Sequence, residues 1–247
     1  MSGAVMYWVI KGILKPILRG LYRIKAHGLE NLPKKGPAII AANHLSFLDS
    51  FFIPLVVPRR KVTYLAKADY FKSWKTSWFF KGCGQISCER EGGSKSQQSL
   101  EIALDVLREG NLLGIYPEGT RSPDGYLYRG RTGVARLALA AGVPVIPVGL
   151  VGTEDVMPKD AKLPRLTGRI KVDVKFGKAL DFSRYAGRET DRVALRNIAD
   201  EIMYEIMQLS GQEYRDQYAS RAATEPMPES ARFIEDDIDL SEEALVG

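Results

Sequence analysis

Cysteine and histidine are scarce in this 247-residue chain: two of each, at Cys83, Cys88, His27 and His44. Two cysteines cannot build a disulfide-held scaffold, and a four-ligand zinc site would need help from His27 or His44. The cysteine usage points to the reducing cytosol as the compartment. Uncharged apolar runs of roughly 20 residues, the length that a bilayer-spanning helix requires, are also missing. There is no internal repeat and no Gly-x-Ser-x-Gly nucleophile elbow. What remains is a globular composition, 45% hydrophobic and 26% charged, which excludes a collagen, a coiled-coil rod and a wholly disordered chain. The length suits one large domain or two small ones.

The charge is unevenly spread. The net is +5 overall, yet residues 222–247 carry eight acids against Arg232 alone, leaving +12 on the preceding residues. A basic body wants an anionic partner: a membrane surface, a nucleic acid or a phosphorylated substrate. The acidic tail has too little apolar content to fold alone and is expected to be flexible.

The N-terminal stretch narrows the choice of partner. Within residues 5–22, Lys11, Lys15 and Arg19 interrupt an otherwise apolar run, and with Arg23 they recur every four residues. That is one stripe of a helix, with Val9, Ile10, Ile13, Leu14, Ile17, Leu18 and Leu21 covering much of the rest. The pattern predicts an amphipathic helix lying in a membrane interface, its cations on anionic head groups. The plainer reading is a helix packed on the protein's own core. Pro16 is expected to kink or divide it. The chain thus divides into an anchoring helix over 1–23, a main domain over 24–221 and the tail over 222–247.

Further along, short apolar runs at Pro37–Ala42, Val62–Ala66, Gln85–Cys88, Leu112–Tyr116 and Val143–Gly149 read as buried strands. Helical periodicity separates some of them, over Ser94–Glu109 and over Arg131–Ala141, which ends at Gly142. Alternation of this kind predicts an α/β fold with a mixed, largely parallel sheet flanked by helices. Ile170–Phe176 alternates apolar with polar residues and reads as an edge strand. Asp191–Leu209 is a last long helix. His27 follows a strand without a carboxylate nearby in sequence and reads as structural, and Cys88 reads as a buried strand residue.

Two motifs carry chemistry. The first strand runs into Asn43-His44-Leu45-Ser46-Phe47-Leu48-Asp49, at the strand end where open α/β sheets bind ligands. Five residues apart on a regular helix is about 140° of rotation, so His44 and Asp49 would not share a face. They meet if His44 sits in the turn before a helix and Asp49 lies one turn inside it, so that the carboxylate orients the imidazole as a base. The same residues also read as a helix start, with Ser46 as cap and Asp49 completing a capping box.

The second motif is Pro117-Glu118-Gly119-Thr120-Arg121-Ser122, directly after the strand at Leu112–Tyr116. A glycine between hydroxyl and guanidinium groups at a strand end makes an oxyanion-binding loop in which Arg121 offers a bidentate phosphate contact. Arg90 closes another strand and Arg131 opens a helix. Each arginine alone reads as a solvated surface residue, but three on one side of an α/β sheet form a pattern.

Together these blocks resemble the membrane-associated glycerolipid acyltransferases, and within them the 1-acyl-glycerol-3-phosphate acyltransferase group. His44 and Asp49 stand in the His-x4-Asp block, and Gly84–Arg90 matches a strand ending in arginine, with Glu89 where the family usually has aspartate. The Pro-Glu-Gly-Thr-Arg-Ser block is complete at 117–122, and Val143–Val148 matches the apolar proline-containing block. The resemblance covers about residues 24–180. Arg131 is matched to the family's last basic position, although the usual aromatic is missing.

The resemblance implies transfer of a fatty acyl group from a thioester, acyl-coenzyme A or acyl carrier protein, to the free hydroxyl of a lysophospholipid. Lysophosphatidate is the leading acceptor; glycerol 3-phosphate and other lysolipids are the alternatives. It further implies His44 as general base oriented by Asp49, and a phosphate site built from Arg90, Arg121 and Arg131. Glu118 would lie near the glycerol and order the loop that Gly119 and Thr120 shape, and Lys67 occupies a basic family position that also suits a surface lysine. Neither a metal nor a resident cofactor is implied. The expected location is the cytoplasmic face of a membrane, held peripherally or monotopically. Two other classes explain part of the pattern. A nucleic-acid-binding protein would account for the basic body but needs aromatic platforms or a recognised module, and neither is evident. A hydrolase would use the same pair to activate water but has no need of an interfacial helix beside a phosphate loop.

Overall fold

The computed structural model describes residues 3–88 and 93–222. Arg90 and nearly all of the acidic tail therefore lie outside the described residues. Seven strands form one sheet in the order β1 (Arg23–His27), β8 (Lys171–Phe176), β7 (Val145–Val151), β2 (Ala38–Ala42), β5 (Leu112–Ile115), β3 (Val62–Lys67) and β4 (Gln85–Cys88). All neighbours are parallel except β7 and β8. Two-residue strands β6 (Leu127–Tyr128) and β9 (Tyr214–Arg215) pair separately. The expected mixed, largely parallel sheet is thus present.

Strand β2 shows why. All five of its residues are buried, as a strand covered on both faces must be. Ala38, Ile40 and Ala42 join one apolar layer, while Ile39 and Ala41 join the other, following the two-residue period of a pleated strand. The first layer packs beneath α2 (Asp49–Val56) and α1 (Gly3–Leu21). The second packs beneath α4 (Gly93–Arg108), α5 (Gly133–Ala141) and α7 (Arg192–Ser210). Two further helices are single turns, α6 (Thr153–Val156) and α8 (Ala219–Ala222), and α3 (Trp74–Gly82) lies beside α1. Asp191 caps α7 through the backbone N–H groups of Val193 and Ala194, satisfying donors that a helix start otherwise leaves orphaned.

Three expectations are corrected. Strand β8 is internal, not an edge, because β1 pairs along its outer side in parallel register, Ile24 opposite Val172 and Ala26 opposite Val174. The exposed residues Arg23, Lys25 and His27 of β1 form the solvated edge instead. His27, with no carboxylate nearby in sequence, takes a distant one, its Nε2 lying 3.5 Å from Asp173 Oδ1. Helix α1 runs through Pro16 without a break. Pro16 and Gly12, the residue whose carbonyl loses its helical donor, are both exposed, so water reaches the freed group.

The cation stripe of α1 is the third. Arg23 lies in β1, and Lys11 turns inward, donating to the Val57 carbonyl at 2.5 Å. Burial pushes the Lys11 ammonium down to about 8. Tyr7 and Ile10 are buried on the same side, so α1 does pack on the protein's own core. Its opposite face is open and mostly apolar: Val5, Trp8, Val9, Gly12, Ile13, Pro16, Ile17 and Gly20 are all exposed, with Arg19 the cation among them. Trp78 on neighbouring α3 is exposed as well. Among the described residues no helix is long and apolar enough to cross a membrane.

Candidate active site

His44 and Asp49 meet, by a route different from the expected one. Asp49 is the first residue of α2, not one turn inside it, and its side chain reaches back over the preceding turn. Its Oδ2 accepts from His44 Nδ1 at 2.9 Å and from the backbone N–H groups of Leu45 and Ser46 at 2.8 Å each. Three donors on one buried oxygen leave it no role but acceptor, so Nδ1 carries the proton and the lone pair sits on Nε2. Among the described residues Nε2 has no hydrogen-bond partner. The His44 side chain is 17% exposed and that of Asp49 is fully buried. Ser46 is not the N-cap of α2, which is Leu48: its hydroxyl donates to the Met157 carbonyl at 2.9 Å and accepts from Leu48 N–H at 3.3 Å.

His44 opens onto a cavity of about 440 Å³. Leu65, Ala103, Leu113, Ile115, Val134 and Leu137 supply an apolar wall, and Gly119 and Arg131 stand with His44 at the polar end. The second motif lies along this end. Glu118 is 1% exposed, with one oxygen accepting from His44 N–H and the other from Tyr128 N–H, both at 3.0 Å. Burial pushes Glu118 up to about 8 against the pull of those two donors. It stands behind His44 rather than on the cavity wall, binding the histidine turn to β6. The chain on its far side returns to the same turn, for Ser122 N–H donates to the His44 carbonyl at 2.8 Å.

The arginines separate. Arg131 lines the cavity and begins two residues before α5. Gly119 adopts a positive φ of 79°, and a Cβ there would stand 2.8 Å from Arg131 Nε, so glycine is what lets the guanidinium lie across the loop. Arg121 does not line the cavity. Its Nη1 donates to the Lys159 carbonyl at 3.0 Å. Thr120 is half-buried beside it. Lys67 ends β3, two residues beyond the cavity-lining Leu65.

Four residues at the site were not singled out by sequence. The Tyr116 ring lies parallel to the imidazole, centroids 3.8 Å apart. Tyr64 stacks on Tyr116 in turn, and it fits only because residue 114 is glycine, where a Cβ would fall 2.2 Å from the Tyr64 ring. Tyr218 stands under the Arg131 guanidinium, and Ser220 accepts from Arg131 Nη2 at 3.1 Å. The only signal for Tyr116 is an aromatic at the strand end before Pro117. Cys83 is buried, and burial pushes its thiol up to about 12, unsuited to a nucleophile. Among the described residues no group of three or more His, Cys, Asp or Glu side chains is placed to hold a metal ion.

Comparison with known proteins bears on this arrangement. Over 152 residues the chain is 31% identical to a chloroplastic 1-acyl-sn-glycerol-3-phosphate acyltransferase of Arabidopsis thaliana, a match spanning 61% of this chain and 42% of that one. A Brassica napus counterpart, also 31% identical over 138 residues, is spanned to 40% of its length. A Bacillus subtilis enzyme of the same name is 30% identical over 60% of this chain and 72% of its own. The crystal structure of the 1-acyl-sn-glycerophosphate acyltransferase from Thermotoga maritima superposes with a TM-score of 0.63 at 24% identity, covering 85% of this chain and 83% of that one, which shows a shared fold. The family model described as Acyltransferase matches residues 23–151, the stretch from β1 to β7 that carries both motifs, and the chain therefore belongs to the acyltransferase family.

Proposed function

We propose that this protein transfers a fatty acyl group from an acyl thioester to the free hydroxyl of 1-acyl-glycerol 3-phosphate, forming phosphatidate at a membrane surface. The observation that carries the reading is the His44–Asp49 pair opening onto a cavity with one apolar wall and one arginine. Nε2 of His44 takes the acceptor's hydroxyl proton as that oxygen attacks the thioester carbonyl. Asp49 holds the ring and steadies the imidazolium that forms. When the tetrahedral intermediate collapses and expels the thiolate, the same imidazolium returns the proton to sulfur. The acyl chain lies along the wall of Leu65, Leu113, Val134 and Leu137. Arg131 meets the acceptor's phosphate, with Arg90 and Lys67 as further basic candidates from sequence, while Arg121, turned to the Lys159 carbonyl, reaches the anion only by leaving that bond. Glu118, Gly119 and Thr120 shape the loop around it. The thioester, on coenzyme A or acyl carrier protein, is a co-substrate.

The membrane part of the reading rests on α1, whose open face is apolar apart from Arg19, with Lys15 at its border. Such a helix lies in the interface without crossing, holding His44 near a hydroxyl just below the phosphate plane. Mass spectrometry of lipids formed from a panel of acceptors tests the assignment. Phosphatidate from lysophosphatidate is expected in preference to products of glycerol 3-phosphate or lysophosphatidylcholine. Thioester consumption that does not depend on any acceptor would point to a hydrolase instead.

A further inference from the structure

Leu163, 78% exposed, is the most exposed large apolar side chain among the described residues, and Leu166, three positions on, stands at 60%. Both lie in the connection between α6 and β8, which no motif singles out. The 157–169 connection also carries Lys159, Lys162, Arg165 and Arg169 against one acid, Asp160. No carboxylate of the described residues pairs with any of the four cations. An exposed leucine alone needs no partner, but two leucines three positions apart among four unpaired cations are the composition of an element that enters an anionic bilayer surface.

The loop is tied at both ends to the parts that matter. On the site side, Met157 O accepts from the Ser46 hydroxyl at 2.9 Å and Lys159 O accepts from Arg121 Nη1 at 3.0 Å. On the other side, Arg165 O accepts from the Tyr22 hydroxyl at 2.8 Å and Ile170 O accepts from Arg23 N–H at 2.9 Å. Tyr22 directly follows α1, which ends at Leu21, and Arg23 begins β1. One loop therefore spans from the C-terminal end of the open-faced helix to the histidine turn and the arginine of the second motif.

We propose that the 157–169 loop is a second membrane contact, with Leu163 and Leu166 entering the head-group boundary of an anionic bilayer and the backbone bonds to Ser46 and Arg121 fixing the height of the site above it. The inference rests on the acyltransferase reading. The cations alone would suit any anionic partner, an acidic carrier protein included. The two leucines, both largely exposed, favour a partner that can be penetrated.

The test uses the full chain and flotation with phosphatidylcholine vesicles, with and without phosphatidylglycerol. The pair Leu163→Ser/Leu166→Ser is expected to weaken binding to anionic vesicles about tenfold or more. The pair Lys162→Gln/Arg169→Gln is expected to lose about fivefold per charge, and only on vesicles containing phosphatidylglycerol. Both variants should keep wild-type turnover of a short-chain, water-soluble acceptor, which reports on folding and on the chemistry apart from the membrane. Unchanged vesicle binding by the serine pair overturns the proposal. So does normal vesicle binding combined with a selective loss of transfer from a carrier-protein thioester, which would make the loop a protein-docking element. A wild-type protein that binds vesicles through the loop yet acylates no acceptor would retain the contact and sink the acyltransferase reading.

Discussion

The imidazole of His44 lies flat against the phenol ring of Tyr116, centroids 3.8 Å apart and planes 8° apart. The Tyr116 hydroxyl is 2.9 Å from the hydroxyl of Ser50, the residue after Asp49. The ring that backs the histidine and the carboxylate that orients it are thus held by the same first turn of α2. Stacking fixes the imidazole plane, and the Asp49 bond fixes its rotation within that plane.

Tyr116→Phe keeps the stack and loses one hydroxyl contact. Stability should fall by about 0.5–1.5 kcal/mol, read from urea denaturation, with turnover changed only a few-fold. Tyr116→Ala removes the platform, and a loosened base should lower kcat by about 10²-fold while the KM for the thioester changes little. Equal turnover in the alanine and phenylalanine variants would show that the stack does not position His44.

Glu118→Gln should destabilise the fold by about 1–3 kcal/mol, because the amide nitrogen must face one of two backbone donors, His44 N–H or Tyr128 N–H. The wild-type carboxyl sits near 8 in the folded state against 4.5 in the unfolded chain. Between those values the folded state holds a proton that the unfolded state has released, so stability falls as pH rises through that window. Denaturation midpoints of Glu118→Gln measured from pH 4.5 to 8 should be flatter than those of the wild type.

Lys11 supplies the opposite slope. Its folded value of about 8 lies below the ordinary 10.5. Over that interval the unfolded state binds the extra proton, and stability rises with pH. Lys11→Met should remove the rise, and it should also strengthen α1 packing at neutral pH, where the wild type buries a charge. Thermal melts between pH 7 and 10 compare the two.

The parts legible in sequence were those that bury on both faces. Ala38–Ala42 and Val145–Val151 are continuous apolar runs because helices cover them above and below, and their parallel pairing follows from the helices between them. Strand β1 was only implied by the position of His27, since alternate exposed residues leave Arg23–His27 without an apolar run, and the same gap made β8 look like an edge. The His44–Asp49 contact was legible as a spacing, but its geometry depended on where α2 begins. The half-charged face of α1 hid a packing choice: Lys11 reaches a carbonyl 46 residues away, which no helical wheel contains. Likewise Arg131 takes its partners from Tyr218 and Ser220, near the far end of the described chain, and Arg121 is bound to a loop carbonyl rather than aimed into the cavity.

The most direct measurement is the turnover of His44→Ala with lysophosphatidate and an acyl thioester, beside its circular dichroism and vesicle binding. A general base predicts a loss of about 10²–10⁴-fold in kcat, with fold and membrane binding unchanged. Asp49→Asn should be severely impaired as well, because a neutral amide cannot steady the imidazolium that forms on His44. A His44→Ala protein that keeps more than about a tenth of wild-type turnover, short of any general-base effect, would contradict the assignment of His44 as the base.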